Sequence, residues 1–164
     1  MPDALRRLSG RYWRMLGVRW QRRPFESGSH VTGGRWNPMG TPALYLSADY
    51  TTAIEEAHRD LVRPGTLVAF EVEATAIADL TQAEPAIVAC DWRTIFALKK
   101  GTPPSWQLAH ELIAAGAEGA LVPSVQNRGG TNLVLWRWRD AEGEGEGARL
   151  TLLDPDAVLG RARS

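Results

Sequence analysis

Short apolar runs, bounded by glycine, proline or polar turns, dominate the pattern of the chain. These runs are rich in Val, Leu and aromatic residues, and their length is typical of half-buried or buried strands. The pattern predicts strands at residues 12–16, 43–47, 67–72, 120–123, 133–138 and 150–153. We therefore expect much of the regular structure to be β.

Two other segments carry apolar residues at helical spacing. The first covers residues 49–62, with Asp49 as the expected N-cap. The second begins at Ser105, directly after two prolines, and ends at Gly116. A shorter helix is compatible with residues 92–98. Strands interrupted by isolated helices, without regular βα alternation, predict a mixed α+β fold and argue against a doubly wound sheet.

Length and charge narrow the class of protein. With 164 residues, 44% of them apolar, the chain predicts one compact domain over residues 1–164, because two smaller domains would each have a poorly buried core. Nineteen basic and nineteen acidic residues cancel, so we expect neither direct nucleic-acid binding nor attraction to an anionic membrane. The single Cys90 rules out a disulfide framework. No apolar run approaches the roughly twenty residues of a membrane span, and a cytoplasmic protein is predicted.

One low-complexity tract interrupts the carboxyl-terminal strands. Residues 142–147 alternate glutamate with glycine, which resists both helix and core formation. The tract predicts a solvated hairpin loop between two apolar strands. Seven tryptophans elsewhere are expected to lie mostly in the core.

The most informative segment is the loop at residues 33–42, Gly-Gly-Arg-Trp-Asn-Pro-Met-Gly-Thr-Pro. A guanidinium on such a stiff loop can bind a phosphate through two parallel hydrogen bonds, and Gly33 and Gly34 let the backbone approach the same ligand. An arginine paired with a surface carboxylate is the ordinary alternative. The loop favours an anion-binding role for Arg35.

Two further candidates follow the loop. Tyr45 lies in the next strand on the face opposite Leu44 and Leu46, where its ring could stack on a flat heterocycle or belong to the core. Glu55 and Glu56 lie in the middle of the following helix, and periodicity does not choose between them. Both could be solvated, or one could face a cleft and stabilise a developing cation or accept a hydrogen bond from a sugar hydroxyl.

The later part of the chain adds one candidate site residue, and the chain as a whole lacks several known metal-binding and catalytic motifs. Ser124 ends a strand before a polar, glycine-rich turn, where it could bind a ligand or only satisfy the turn backbone. His30, His58 and His110 have no metal-ligand spacing, so we predict no metal site. The chain has no GxSxG, Walker or GxGxxG motif, which disfavours hydrolase, P-loop and Rossmann functions.

Taken in order, the arginine of GGRWN, the tyrosine of ALYLS, a helical glutamate and the serine of VPS resemble the RES-domain family. The resemblance extends from the Tyr-Trp-Arg at residues 12–14 to about residue 136. It implies Arg35, Tyr45, Glu56 and Ser124 as catalytic residues. Glu56 is preferred to Glu55 because the family pattern places the acid eleven positions after the tyrosine.

The resemblance also implies a substrate and a partner. The substrate is NAD, bound by Arg35, Tyr45 and Ser124 with Arg14 and Asn132 as further residues at the pocket. The implied fold is similar to that of ADP-ribosyltransferases, and the implied reaction cleaves the nicotinamide–ribose bond, either degrading NAD by phosphorolysis or hydrolysis or transferring ADP-ribose to a protein. Family members are commonly toxins, and the implied partner is an Xre-like antitoxin that covers the active site.

The residues are also compatible with two other functions. The chain could be a non-catalytic module in which Arg35 binds a nucleotide or an acidic protein. It could also act on nucleic acid through the basic residues at 19–23 together with Trp13, Trp20 and Trp36. That cluster is short and the chain is neutral, and an exposed basic turn covering the pocket accounts for it equally well.

Overall fold

The computed structural model describes residues 4–58 and 64–154. In these residues seven strands form one sheet: β1 (Arg6–Gly17), β2 (Leu44–Ser47), β3 (Gly65–Asp79), β4 (Gly119–Pro123), β5 (Thr131–Leu135), β6 (Trp138–Asp140) and β7 (Ala148–Leu152). The helices are α1 (Ser29–Thr32), α2 (Tyr50–His58), α3 (Pro85–Val88), α4 (Trp92–Ala97) and α5 (Pro104–Ala114), with a 3₁₀ turn at Val18–Trp20. The mixed α+β prediction is confirmed. The likeness to ADP-ribosyltransferases and the single domain over residues 1–164 stay predictions.

Five of the strands close into a ring. β1 pairs antiparallel with β3 along nearly its whole length, and β3 continues through a short parallel pairing to β4. From β4 the ring returns through β5 and β2 by antiparallel pairing. It closes between β2 and β1 at a single residue pair, Trp13 with Ser47. We call this last junction the β1–β2 seam.

Side chains of the ring strands alternate between two apolar layers. Leu44 and Leu46 of β2 lie inside the ring with Leu133 and Leu135 of β5. Tyr45 packs against the second layer, which includes residues of β4, β5 and α5. Because successive side chains of a strand point to opposite faces, this is the arrangement that the apolar pattern of β2 predicts. The predicted orientation of Tyr45 is thus confirmed.

Local capping signals fix the ends of two helices. The Asp49 carboxylate accepts hydrogen bonds from the Thr52 amide at 2.7 Å and the Thr52 hydroxyl at 3.0 Å, as expected for the N-cap of α2. The described part of this helix ends at His58, and the last residues of the predicted 49–62 helix lie outside the described residues. Helix α5 ends before Gly116, whose φ of 95° suits a glycine after a helix.

The single strand predicted at residues 133–138 is divided into β5 and β6. The amides of Trp136 and Arg137 both donate to the Glu118 carbonyl oxygen, at 2.8 and 3.2 Å. The first bond continues the β4–β5 register by one position, and the second brings Arg137 onto the same oxygen, so the chain turns away from the ladder after Trp136. A contact distant in sequence therefore ends the strand, which local propensity did not indicate.

The hairpin predicted at residues 142–147 is wrong. β6 and β7 pair in parallel, with Trp138 opposite Ala148, so the connecting chain must return beside β6 before β7 begins. Gly145 and Gly147 have φ values of 124° and 108°, which side chains rarely adopt, and they permit this return. The alternating glycines signal the loop but do not determine the relative direction of its two strands.

A buried carboxylate satisfies an irregularity in β3. The register of β1 against β3 shifts between Arg6 and Leu8, which leaves Thr75 and Ala76 in a bulge. Oε1 of Glu118 accepts hydrogen bonds from the Thr75 amide at 2.7 Å, the Ala76 amide at 2.8 Å and the Thr75 hydroxyl at 2.9 Å. Glu118 is only 6% exposed. This acid completes the fold of β3.

Candidate active site

A cavity of about 960 Å³ opens at the β1–β2 seam. Residues on both strands line it beside the single Trp13–Ser47 pair, and the loop carrying Arg35, helix α2 and helix α4 form further parts of its wall. The volume lies at the upper end of the roughly 300–1,000 Å³ typical of small-molecule sites. Of the six residues that the resemblance assigns to catalysis or NAD binding, Ser124 does not line the cavity and five do: Arg14, Arg35, Tyr45, Glu56 and Asn132.

The loop before β2 is held tightly against Tyr45. The Tyr45 hydroxyl donates to Asn37 Oδ1 at 2.6 Å and accepts a hydrogen bond from the Trp36 amide at 3.0 Å. A Cβ atom on Gly34 would lie 2.6 Å from Asn37 Oδ1 and 2.8 Å from the Tyr45 hydroxyl, so only glycine fits there. This packing fixes the backbone next to Arg35.

The side chain of Arg35 is anchored at one nitrogen. Its Nη1 donates to the carbonyl oxygens of Cys90, at 2.6 Å, and Val88, at 3.2 Å. Among the described residues, Nε and Nη2 donate no hydrogen bond. Burial lowers the pKa of Arg35, and electrostatic interactions with Cys90 and Glu56 partly oppose that shift. The result is an oriented cation with donors left for an anionic ligand.

A second cation, Arg14, enters the cavity from β1. Arg14 lies on the inward face of the strand between Tyr12 and Leu16, and its Nη1 donates to the carbonyl oxygens of Pro24 and Glu26, both at 2.8 Å. Burial lowers the pKa of Arg14 to about 10. Within the described residues no carboxylate forms an ion pair with it. A bound anion would offset this desolvation.

Glu56 of α2 faces the same cavity. Its Oε1 accepts hydrogen bonds from Ser124 Oγ at 2.5 Å and from Asn132 Nδ2 at 2.8 Å. Asn132 Oδ1 in turn accepts a hydrogen bond from Ser47 Oγ at 2.7 Å. Glu55 is exposed, so the fold distinguishes two acids that helical periodicity leaves equivalent. No hydrogen bond to Oε2 of Glu56 is found in the described part of the chain, which leaves this oxygen for a ligand.

Ser124 lies behind Glu56. It is buried, and its Oγ accepts a hydrogen bond from the Asn127 amide at 3.0 Å while donating to Glu56. Asn127 Nδ2 donates to Thr52 Oγ1 at 2.8 Å, which ties the same turn to α2. The alternative that this serine satisfies the turn backbone is therefore confirmed, and the same hydroxyl also orients an acid. Its predicted contact with a ligand stays a prediction.

Aromatic residues of α4 were missed as site residues in the sequence. Trp92 and Phe96 line the cavity, although the tryptophans were expected mostly in the core. Only Trp36, Trp106 and Trp136 are buried, and the other four of the seven are half-buried. The available signal was the i, i+4 spacing of two aromatic residues, which places both on one face of a short helix.

The basic turn at residues 19–23 lies at the cavity rim. Arg19 and Arg23 stack over the Trp20 ring, with their guanidinium carbons 5.7 and 4.7 Å from its centroid. Arg19 and Trp20 both line the cavity. This position agrees with a basic turn covering the pocket, one of the two explanations considered for the cluster.

Acidic and histidine side chains are dispersed through the described residues. In that part of the chain no group of three or more His, Cys, Asp or Glu residues is arranged to hold a metal ion. None of the described helices combines the length and the apolar composition needed to cross a membrane.

The model of the RES domain matches residues 11–153, a range that contains every residue of the candidate site. The chain belongs to the RES domain family. The family resemblance inferred from the sequence is thus confirmed. The fold of this chain is similar to that of a chain in the crystal structure of the M. tuberculosis MbcT-MbcA toxin-antitoxin complex, with a TM-score of 0.56. The two chains are 22% identical in sequence, and the match covers 80% of this chain and 76% of that chain. No curated protein matches the sequence.

Proposed function

We propose that this RES-domain protein is a toxin that cleaves the nicotinamide–ribose bond of NAD. The observation that carries the proposal is the Glu56 carboxylate, oriented by Ser124 and Asn132 in the same cavity as Arg14 and Arg35. Departure of nicotinamide leaves positive charge on the ribose, and a preorganised carboxylate stabilises such charge most where it develops. Family membership and the cavity volume both support a dinucleotide substrate.

The two arginines are assigned to the pyrophosphate. Arg35 offers Nε and Nη2 beyond its anchored Nη1, and Arg14 adds a second charge whose desolvation a phosphate would relieve. Tyr45, fixed through its hydroxyl, is assigned to stack against the nicotinamide ring. These contacts orient the bond to be broken relative to the carboxylate.

The bond between ribose C1′ and the pyridinium nitrogen breaks heterolytically in the proposed reaction. Its electron pair stays on that nitrogen, so nicotinamide leaves as a neutral molecule. Glu56 orients the ribose hydroxyls through Oε2 and stabilises the cationic sugar, while Ser124 and Asn132 keep the carboxylate in place. An acceptor oxygen then bonds to C1′, and a water or hydroxyl acceptor releases its proton to solvent. Water, phosphate and a protein side chain are the three candidate acceptors.

An antitoxin that covers the cavity is part of the proposal. Support comes from the RES family and from the fold likeness to a protein solved in a toxin-antitoxin complex. An Xre-like protein is the candidate antitoxin, and the cytoplasm, with its NAD, is the candidate compartment. Cleavage of NAD in the absence of the antitoxin would then account for toxicity.

Incubation of the purified protein with NAD tests the proposal. The assay is run with and without phosphate and with cell lysate, and mass spectrometry identifies nicotinamide, ADP-ribose, its phosphate ester and any modified protein. Wild type and Glu55→Gln should release nicotinamide, whereas Glu56→Gln should lose at least about a hundredfold of that rate. Glu55→Gln is the matched control because it removes an exposed charge one residue away. Reversible NAD binding, without release of nicotinamide or transfer of ADP-ribose to a protein, would instead support a non-catalytic binding module.

A further inference from the structure

We propose that Trp92 and Phe96 of α4 form a binding subsite for the adenine base of the dinucleotide. This inference rests on the proposed NAD-cleaving function and adds the location of the second base. It concerns residues that stand apart from the arginine, tyrosine, glutamate and serine pattern.

Trp92 and Phe96 present uncovered aromatic surface to the cavity. Phe96 is 39% exposed and Trp92 is half-buried, and both line the cavity. Aromatic surface left uncovered next to a cavity marks a place where a ligand can bury it. A purine is a suitable occupant because every base presents a flat π-face to an aromatic side chain.

A buried residue of α5 holds this aromatic face in place. The buried Trp106 of α5 contacts both rings, with centroids 6.0 Å from Trp92 and 4.9 Å from Phe96. Its Nε1 donates to the Gly34 carbonyl oxygen at 2.7 Å. One buried tryptophan therefore joins the α4 aromatic face to the loop that carries Arg35. A ligand that binds here would therefore lose little free energy to the ordering of the Trp92 and Phe96 side chains.

Arg35 shares the cavity with residues of both α2 and α4. Glu56 of α2 lines this cavity, as do Trp92, Arg93 and Phe96 of α4. The anchor of Arg35, the Cys90 carbonyl oxygen, lies two residues before Trp92. In NAD the pyrophosphate separates the two nucleosides. With the pyrophosphate on Arg35 and nicotinamide riboside at Glu56, the adenosine half reaches α4.

The neighbouring Arg93 makes Phe96 the more accessible ring. The Arg93 guanidinium carbon lies 4.8 Å from the centroid of the Trp92 ring and covers one of its faces. Phe96 has no such cation over it among the described residues. Substitution of Phe96 is therefore the more direct test.

Nicotinamide mononucleotide provides that test, because it has the bond to be cleaved but lacks the adenosine half. The KM and kcat for NAD and for the mononucleotide are compared in wild type, Phe96→Leu and Trp92→Leu. Leu98→Ala is the matched control, since Leu98 is 78% exposed, follows the same helix and does not line the cavity. Leucine keeps much of the side-chain volume, and thermal unfolding verifies that each variant folds.

We expect Phe96→Leu to raise the KM for NAD roughly tenfold, the size of effect typical of a lost base–aromatic stack. Its KM for the mononucleotide and its kcat should stay at the wild-type values, and Leu98→Ala should match wild type on both substrates. The subsite is overturned if wild type is active but the KM values of the Phe96 and Trp92 variants do not change, or change equally for NAD and for the mononucleotide. The proposed function would stand in both cases. A wild type that cleaves neither substrate overturns the proposed function itself.

Discussion

Glu56 and Glu118 are two carboxylates held by short hydrogen bonds in different surroundings. The Glu118 carboxylate accepts three hydrogen bonds at a bulge in β3, from the backbone amides of Thr75 and Ala76 and from the Thr75 hydroxyl. Glu56 accepts its hydrogen bonds from the side chains of Ser124 and Asn132, next to a cavity that contains two arginines. The first acid completes backbone pairing that the strand cannot supply itself. The second is oriented by side chains that the fold does not need for its ladder.

We expect Glu118 to contribute to the stability of the fold and Glu56 to contribute to the reaction. Backbone amides at a bulge need an acceptor in every folded molecule, so removal of Glu118 leaves buried donors unsatisfied. Hydroxyl and amide side chains can reorient when Glu56 is removed, and the cavity admits water. We therefore expect substitutions at the two acids to change different measured quantities.

The largest effect is expected for Glu56→Ala. Loss of the carboxylate should lower kcat for nicotinamide release by about 10²–10³, the range found when one preorganised electrostatic group is removed. The free energy of unfolding, measured by urea denaturation, should change by less than about 1 kcal/mol. A Glu56→Ala protein that unfolds far more easily would assign this acid to the fold.

Glu118→Ala should show the reverse pattern. Three donors lose their acceptor, and we expect the free energy of unfolding to fall by about 2–3 kcal/mol. Glu118→Gln should recover part of this loss because its amide oxygen still accepts. Nicotinamide release per folded molecule should equal that of wild type in both variants. A reduced kcat at unchanged stability would contradict the comparison.

Ser124→Ala tests whether the orientation of Glu56 matters. The carboxylate keeps Asn132 as a donor but loses its 2.5 Å bond to Ser124, so kcat should fall about tenfold while the KM for NAD stays close to wild type. Asn127→Ala is a suitable control, because it retains the backbone amide that donates to Ser124. A rise in KM with unchanged kcat would mean that Ser124 contacts the substrate instead.

The smallest effect is expected for a third acid, Asp79. Hydrogen bonds from the Thr81 hydroxyl and amide, aided by an ion pair with Arg6, hold the pKa of Asp79 below its usual value. The resulting stabilisation is present above the ordinary pKa of 3.8 and is lost as the pH falls through the lower folded-state value. Because both partners are well exposed, the contribution should stay below about 1 kcal/mol.

Urea denaturation of wild type and Asp79→Asn at neutral pH and at about pH 3 measures that contribution. The difference between the two proteins should shrink in acid. A gap that persists unchanged at the lower pH would argue that the loss comes from packing.

Local signals in the sequence were sufficient for some of these elements and insufficient for others. Asp49 caps α2 through Thr52, three residues away, so this helix start could be predicted from neighbouring residues. The choice of Glu56 depends in the fold on Ser124, 68 positions later, and helical periodicity contains no such information. The family resemblance supplied that choice.

The same distinction accounts for the errors near the carboxyl end. The break between β5 and β6 depends on the Glu118 carbonyl oxygen, and the parallel course of β7 depends on its pairing with both β3 and β6. These are contacts between distant segments. An alternating Glu-Gly tract predicts a loop but contains no signal for the direction of the strand that follows.

The single pairing of Trp13 with Ser47 has a consequence for motion. β1 is bound to β3 over most of its length, whereas its junction with β2 can part through the loss of one backbone pairing. Local opening follows the least-paired segments of a sheet, so amide hydrogen exchange should be fastest there among the ring strands. Separation of β1 from β2 can then widen the entrance of the cavity for a bulky molecule, while the other strand pairings of the ring stay formed.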